Sequence, residues 1–254
     1  MTMNAKKNLH VRIYSDSLAL PRQGSVAFSE RYITILKQWW IRQKEYEDIE
    51  LVDRSMGGQS IVTLYDMYRQ DITYFGSEGD ILIIHTGIVD CAPRPVPTRI
   101  RNIISGLPKF LKDPAIRFLH NHRSKIQKSG LMWKHVNPEE FSAYYSAFLK
   151  NAADNFSRIY CISIAPTNPA TELHSPGYSA SVAEYNTIIK NCILNADNKN
   201  VNYIDIHMVI VNEYLKIDSY ILPEDGHHLT PLTHRLIADN IIQVELSHHS
   251  QLHP

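Results

Sequence analysis

Cysteine is scarce in this 254-residue chain, with three residues at wide spacing (Cys91, Cys161 and Cys192). Such a number does not build a disulfide framework and favours reduced thiols in a cytoplasmic protein. No apolar run approaches the roughly 18 residues of a membrane span, and the first eight residues lack the apolar core of a signal peptide. Net charge is also missing: 26 basic and 26 acidic residues cancel. The chain as a whole therefore has no electrostatic attraction to nucleic acid or to an anionic membrane.

Several common catalytic motifs are missing as well. The sequence has no Gly-x-Ser-x-Gly, no Gly-x-x-x-x-Gly-Lys, no Gly-x-Gly-x-x-Gly and no His-Glu-x-x-His. These absences count against an ordinary α/β-hydrolase, a P-loop enzyme, a dinucleotide oxidoreductase and a zinc protease. The 13 histidines show no ligand spacing with cysteine or carboxylate, so we expect no metal and no cofactor.

Strand and helix patterns alternate along the chain, which predicts an α/β fold with a parallel sheet. The predicted strands are residues 9–14, 49–52, 80–86, 158–165 and 201–206. Amphipathic or capped segments predict helices at 26–42, 61–68, 138–155, 182–194 and 231–246, followed by a frayed tail. In the first of these helices, Phe28, Tyr32, Leu36 and Trp40 share the face predicted to pack inward.

A basic segment interrupts the alternation after the third strand. Residues 94–134 contain ten Lys or Arg residues and one acid, Asp113. Helical character there, broken by Pro108 and Pro114, predicts a helical insertion at about residues 94–137 in a single domain. Such a segment is either a solvated surface or an electrostatic guide for an anionic substrate.

Two polar turns at opposite ends of the chain carry candidate catalytic residues. Ser17 directly follows the first strand, at the strand end where open α/β sheets bind ligands. Asp225 stands three residues before His228, just ahead of the last helix. A serine needs a base to remove its proton, and a histidine with a pKa near 6.5 suits that task when a carboxylate fixes its tautomer. His227 competes for the base role.

Four sequence blocks resemble the GDSL-type SGNH hydrolases. The family's Gly-Asp-Ser-Leu is matched by Ser-Asp-Ser-Leu at residues 15–18, and its Asn-x-Gly-x-x-Gly-x-Thr loosely by residues 53–60. Its Gly-x-Asn-Asp is matched by Gly-Ile-Val-Asp at residues 87–90, and its Asp-x-x-His-Leu fully by residues 225–229. The blocks occur in the family's order and span nearly the whole chain.

The resemblance implies a flavodoxin-like three-layer fold and a role for each matched residue. Ser17 takes the nucleophile's place, His228 that of the base and Asp225 that of the orienting acid. The backbone N–H groups of Ser17 and Gly58 take the place of the oxyanion hole.

The third block departs from the family pattern. Val89 stands where the family has an asparagine that donates to the oxyanion, a loss worth about 10²–10³ in rate if nothing replaces it. Asn168, after the fourth strand, is a candidate replacement or an ordinary turn residue. We assign Asp16, Gly87, Val89 and Asn168 to the substrate-binding surroundings, and Asp90 to bracing the turns.

The resulting hypothesis is a serine esterase that removes an acyl group, acetate in the simplest case, from a carbohydrate. An acyltransferase using the same acyl-enzyme is the first alternative, and a degenerate non-catalytic glycan-binding protein is the second. The expected partner is an ester substrate, anionic if the basic insertion guides it, with neither nucleic acid nor stable membrane insertion. The oligomeric state stays open.

Overall fold

The computed structural model describes residues 7–128, 133–213 and 216–252. Its centre is a five-stranded, fully parallel sheet in the order β2-β1-β3-β4-β5. The strands are β1 (Lys7–Ser15), β2 (Tyr46–Ser55), β3 (Gly79–His85), β4 (Phe156–Ile162) and β5 (Val201–Ile204). This order is the flavodoxin-like one, so the predicted α/β fold is confirmed.

Helices cover both faces of the sheet. On one face lie α1 (Tyr32–Ile41) and α10 (Pro231–Leu252), and on the other lie α2 (Ile61–Phe75), α6 (Pro138–Ala152) and α8 (Tyr178–Ala196). The shorter helices are α3 (Ile88–Cys91), α4 (Thr98–Ser105), α7 (Pro169–His174) and α9 (Ile206–Asn212), and 3-10 turns occupy Ser17–Ala19, Phe28–Glu30 and Ile217–Ser219. None of the helices in the described ranges is long and apolar enough to cross a membrane.

Strand β3 explains the continuous apolar run in the sequence. It lies between β1 and β4, and its residues 81–84 have no solvent exposure. A strand covered by helices on both faces needs apolar side chains on both sides, which removes the usual alternation. Burial of each such side chain contributes about 1.5–3 kcal/mol. This rigid centre fixes the strand ends that carry the site.

Two side chains, the Ser60 hydroxyl and the Asp90 carboxylate, cap the start of α2. The Ser60 side chain accepts a hydrogen bond from the Thr63 backbone N–H, and Asp90 accepts one from the Ile61 backbone N–H with both oxygens at 3.2 Å. These bonds satisfy donors that a helix start leaves unpaired. The predicted bracing role of Asp90 is thereby confirmed.

Some predicted boundaries are wrong. Helix α1 begins at Tyr32, so Phe28 precedes it and is 64% exposed under the Arg31 guanidinium instead of packing inward. Helix α10 continues through Leu252 where a frayed tail was predicted. Helices α7 and α9 lie in segments for which no helix was predicted. Residues 1–6 of the N-terminus and 253–254 of the tail lie outside the described residues.

The predicted insertion consists of α4 and α5 (Lys109–Lys128), and α5 packs against α7. Pro114 lies inside α5, where a break was predicted. The base of the insertion is closed by two backbone hydrogen bonds between Arg94 and Trp133, of 2.7 and 3.1 Å. No described side chain of α4 or α5 is fully buried, so the pair lies on the surface. Residues 129–132 of the insertion are outside the described part of the chain.

Candidate active site

Ser17 begins a 3-10 turn immediately after β1. Asp16 caps this turn, because its Oδ1 accepts a hydrogen bond of 2.9 Å from the Leu18 backbone N–H. The turn leaves Ser17 partly exposed at the carboxyl end of a central strand. His228 Nε2 lies 2.9 Å from the Ser17 Oγ. The hydroxyl is therefore within proton-transfer distance of an imidazole from the far end of the chain.

Asp225 holds the other side of the His228 ring. Its Oδ2 lies 2.5 Å from His228 Nδ1, and its Oδ1 accepts the backbone N–H groups of His227 and His228 at 3.1 and 3.0 Å. Burial pushes the pKa of Asp225 upward, but the bonds from His228 and the nearby His227 outweigh it and hold the pKa well below its usual value. A carboxylate in this position fixes the proton on Nδ1 and leaves Nε2 as the acceptor facing Ser17.

His227 takes a different position. Its Nδ1 lies 2.9 Å from the Asp225 backbone carbonyl oxygen, and its ring lies 4.1 Å from the His228 ring. Burial and the neighbouring His228 lower the pKa of His227. The structure thus brings His228, the histidine favoured by its spacing from Asp225, to Ser17.

The turn after β2 lies beside the Ser17 turn. Ser15 pairs with Ser55 in the sheet, and the Met56 backbone N–H donates to the Ser15 carbonyl oxygen at 3.1 Å. Gly58 follows two residues later with a φ of 79°, a conformation that favours glycine. Open space surrounds the place where its Cβ would be, so backbone conformation is what requires glycine here. Its predicted place in the oxyanion hole stays a prediction.

Asp16 and Gly87, both assigned to the substrate-binding surroundings, contact each other inside the protein. Asp16 has no solvent exposure, and its Oδ2 accepts the Gly87 backbone N–H at 3.1 Å. Burial raises the pKa of Asp16 to about 7, against the lowering effect of bonds from Leu18, Ile88 and Gly87. Gly87 is buried with a φ of 125°, and a Cβ there would lie 2.6 Å from Ile164 Cδ1. The Asp16 carboxylate and the Gly87 N–H are thus engaged within the protein, and their predicted place in the substrate-binding surroundings stays a prediction.

Asn168 also supports the site. Its Oδ1 caps α7 by accepting the Ala170 backbone N–H at 2.8 Å, and its Nδ2 donates to Asp218. Its backbone N–H donates to the Gly226 carbonyl oxygen at 2.8 Å. The amide is thus engaged in holding the Asp225 turn, and the proposed replacement for the missing asparagine is not found here. Val89 is half-buried against the core.

Two residues that matter for this turn were not singled out from the sequence. Gly226 has a φ of 72°, and the Thr171 Oγ1 donates to its carbonyl oxygen at 3.1 Å. A Cβ on Gly226 would overlap the Thr171 side chain. The Asp225-Gly226 step in the sequence was the available signal, because glycine after a turn aspartate indicates a left-handed position.

A buried histidine pair lies behind the Ser17 turn. His85 ends β3 with no exposure, and neither of its ring nitrogens has a hydrogen-bond partner among the described residues. The Tyr32 ring lies 5.7 Å from the ring of His85 and 5.8 Å from that of His234. Burial lowers the pKa of both histidines to about 3. Both rings are therefore neutral at neutral pH and do not compete with His228 as bases.

Asp225, His227 and His228 are close enough together to hold a metal ion, since their ligand atoms lie within 4.8 Å of one another. His228, however, uses Nδ1 toward Asp225 and Nε2 toward Ser17. A metal bound here would take one of those nitrogens. Metal binding and the hydrogen-bonded series Ser17–His228–Asp225 therefore exclude each other.

No protein-family model matches the sequence, and no curated protein matches it either. The fold is similar to that of solved structures at low identity. A lipase/acylhydrolase from Enterococcus faecalis has a TM-score of 0.62 at 11% identity, covering 92% of this chain and 94% of its own. An acetylxylan esterase from Geobacillus stearothermophilus has a TM-score of 0.59 at 14% identity, covering 96% and 95%. An α/β hydrolase enzyme from the metagenome of Lake Arreo, Spain, has a TM-score of 0.61 at 14% identity, covering 94% and 95%.

Proposed function

We propose that this chain is a serine ester hydrolase. The observation that carries the proposal is the continuous series in which His228 Nε2 lies 2.9 Å from Ser17 Oγ and His228 Nδ1 lies 2.5 Å from Asp225. The three side chains come from two separate turns, and local sequence alone does not force them together. Nucleophile, base and orienting acid in this geometry form the arrangement that acyl transfer requires.

The first half of the reaction forms an acyl-enzyme. Ser17 Oγ attacks the carbonyl carbon of the ester while His228 Nε2 takes the hydroxyl proton, and the Asp225 carboxylate stabilises the resulting imidazolium. The carbonyl oxygen becomes an oxyanion, for which the backbone N–H groups of Ser17 and Gly58 are the candidate donors. The C–O bond to the alcohol then breaks, and the alcohol leaves with the proton from His228.

The second half returns the enzyme to its starting state. Water attacks the acyl carbon and gives a proton to His228 Nε2. The bond to Ser17 Oγ breaks, Ser17 recovers its proton from His228, and the carboxylic acid departs. An acyltransferase would differ only in using a sugar hydroxyl in place of water. We keep hydrolysis as the proposal because the solved structures of similar fold are named as esterases and an acylhydrolase.

The substrate that we propose is an acyl ester of a carbohydrate, with acetyl as the acyl group. Support comes from the acetylxylan esterase of similar fold, for which solved catalytic mutants carry a serine-to-alanine or an aspartate-to-alanine change. A cytoplasmic location is part of the proposal, and the three buried, unpaired cysteines fit it.

The valine at position 89 favours one competing function, that of a degenerate binding protein that retains the cleft but has lost catalytic activity. Fluorophosphonate labelling followed by peptide mapping separates the two. We expect label on Ser17 in the wild-type protein and none there in Ser17→Ala, together with turnover of 4-nitrophenyl acetate. An unlabelled Ser17 in the folded protein would contradict the hydrolase.

A further inference from the structure

A cavity of about 480 Å³ lies between α4, α5 and the segment that leads into the insertion. Three arginines line it, one from each of these parts: Arg94, Arg101 and Arg123. The rest of the wall is largely apolar, with Val96, Ile104 and Leu119 among its residues. Neither Asp nor Glu is among the residues that line this cavity.

The three guanidinium groups lack anionic partners. Among the described residues, no carboxylate lies within 4 Å of Arg94, Arg101 or Arg123, whereas Lys134 at the base of the insertion pairs with Glu184. The Nε atoms of Arg94 and Arg123 are buried without an acceptor. A buried charged donor without an acceptor is destabilising, so these atoms favour binding of an anion.

Backbone contacts hold two of the arginines in place. Arg123 Nη2 donates to the Pro93 carbonyl oxygen at 2.8 Å, and Arg94 Nη2 to the Val89 carbonyl oxygen at 3.4 Å. Each guanidinium keeps further N–H groups for a ligand, since arginine carries five. The positions of the charges are therefore set before any ligand arrives, which lowers the entropic cost of binding.

Intermediate contacts connect the cavity with the turns of the candidate active site. Arg94 contacts Val89, which lies two residues after Gly87 and its bond to the Asp16 carboxylate. Burial lowers the pKa of Arg123, and the nearby Tyr178 opposes that shift. The Tyr178 ring lies 6.2 Å from the His227 ring. Helix α5 itself packs against α7, the helix that holds the Asp225 turn. A substrate that occupies both places has to extend from this cavity along these elements to Ser17.

We propose that Arg94, Arg101 and Arg123 form a subsite for a phosphate group on the alcohol part of the ester. The substrate class is then an acyl ester of a phosphorylated alcohol, and this inference rests on the proposed hydrolase function. Guanidinium groups bind phosphate oxygens through paired hydrogen bonds, and three cations match a dianionic phosphate better than a single carboxylate. The cavity volume leaves room for an apolar group beside the phosphate.

The test compares two acetate esters with similar leaving groups, 4-acetoxyphenyl phosphate and the uncharged 4-methoxyphenyl acetate. The readout is the ratio of their kcat/KM values. Arg101→Gln and Arg123→Gln should each lower this ratio roughly tenfold or more, mainly through KM for the phosphorylated ester, because each removes charge-assisted hydrogen bonds. Arg117→Gln is the matched control, since Arg117 is exposed on α5 and is not among the residues that line the cavity. An unchanged ratio in both cavity variants, or an equal fall in Arg117→Gln, overturns the subsite.

Direct binding separates the failure of the subsite from the failure of the hydrolase. Calorimetry with phenyl phosphate on the full chain should show binding that weakens with salt and is lost in Arg101→Gln. If that binding occurs while neither ester is turned over, the hydrolase fails and the phosphate site stands. If esters are turned over while phenyl phosphate does not bind, the site fails and the hydrolase stands.

A last arm identifies the source of the phosphate. If the protein sediments with phosphatidic acid vesicles but does not bind phenyl phosphate, the cavity site is overturned and the arginines bind a bilayer surface instead. Phenyl phosphate binding without vesicle sedimentation supports a soluble phosphorylated ester.

Discussion

The Gly87 backbone N–H donates to Asp16 Oδ2 across 3.1 Å, and this bond ties the turn after β3 to the turn that carries Ser17. The second oxygen of the same carboxylate accepts from Leu18. One buried carboxylate therefore fixes the relative position of both turns. Because Val89 lies two residues after Gly87, its distance from the nucleophile turn is set by the same bond.

Position 89 allows a direct test of the oxyanion donor that the sequence lacks. We expect Val89→Asn to raise turnover of 4-nitrophenyl acetate, because an amide there can donate to the oxyanion. The gain is at most the value of one donor, about 3–4 kcal/mol, and smaller where the amide is poorly aligned. Val89→Leu is the control without a donor. An Asn variant no faster than the Leu variant would show that position 89 does not face the oxyanion.

Substitution of His227 and His228 in turn should show which of the two acts as the base. Ser17→Ala and His228→Ala should each reduce ester turnover to less than a few per cent of wild type, because nucleophile and base act as a unit. His227→Ala should retain most activity, since the His227 ring is directed at a backbone carbonyl. Thermal unfolding checks that each variant is folded. The reverse order of the two histidines would identify His227 as the base.

Asp225→Asn should separate the orienting role of the carboxylate from its structural role. The amide oxygen can still accept the backbone N–H groups of the two histidines, but the amide N–H facing His228 Nδ1 forces the ring proton onto Nε2. Turnover should fall roughly 10³–10⁴-fold. Asp239→Asn, at an exposed ion pair on α10, is the control. Retention of a tenth of the activity would remove Asp225 from the mechanism.

The difference in thermal stability between Asp225→Asn and wild type should depend on pH. The folded state lowers the pKa of Asp225, so this carboxylate stabilises the fold above its unfolded pKa of about 3.9 and loses that contribution as pH falls toward its folded value. The Tm of Asp225→Asn should therefore lie below that of wild type at pH 7. The difference should shrink as pH falls below about 4.

Protonation of His85 in the unfolded state should contribute to acid unfolding of the wild-type protein. Its folded pKa is about 3 and its unfolded pKa about 6.5, so the unfolded state takes up the proton first and wild-type stability falls as pH drops through that window. In His85→Phe this loss disappears, and the Tm of the variant minus that of wild type should increase as pH falls from about 6.5 toward 3. His174→Phe, at an exposed position ending α7, is the control. A pH-independent difference for His85→Phe would contradict the buried neutral imidazole.

Zinc should inhibit ester turnover reversibly. A Zn²⁺ ion held by Asp225, His227 and His228 would remove His228 from its hydrogen bonds to Ser17 or Asp225. Addition of EDTA should restore the rate, and EDTA alone should leave it unchanged. His227→Ala, which loses one ligand, should need more zinc for half inhibition. Equal zinc sensitivity of wild type and His227→Ala would place the inhibitory ion elsewhere.

The sequence predicts the sheet well because strand signals are local. The apolar run of β3 and the alternation of strands with helices are enough to define the parallel α/β fold. The sequence also indicates Ser17, Asp225 and His228 as candidate site residues, because the strand end before Ser17 and the Asp-x-x-His spacing can be recognised in it. Their catalytic roles stay predictions.

Local sequence does not show features of the site that depend on burial or on contacts between distant parts of the chain. Asp16, Gly87 and Asn168 lie near strand ends, but only the packed structure shows that their polar groups face one another inside the protein. Helix α7 is not predicted because Pro166 and Pro169 indicate a loop, although Asn168 followed by Pro169 is also a helix start signal. The placement of both His85 and His234 against Tyr32 depends on α1 packing against α10, which no local pattern encodes.

The 211-residue separation between Ser17 and His228 also matters during synthesis of the protein. At elongation rates of about 5–20 residues per second, His228 is added to the chain roughly 10–40 s after Ser17. Until the last helix docks, the Ser17 hydroxyl has no imidazole to accept its proton. A nascent chain that ends before His228 therefore lacks the group that would activate Ser17 in the proposed mechanism.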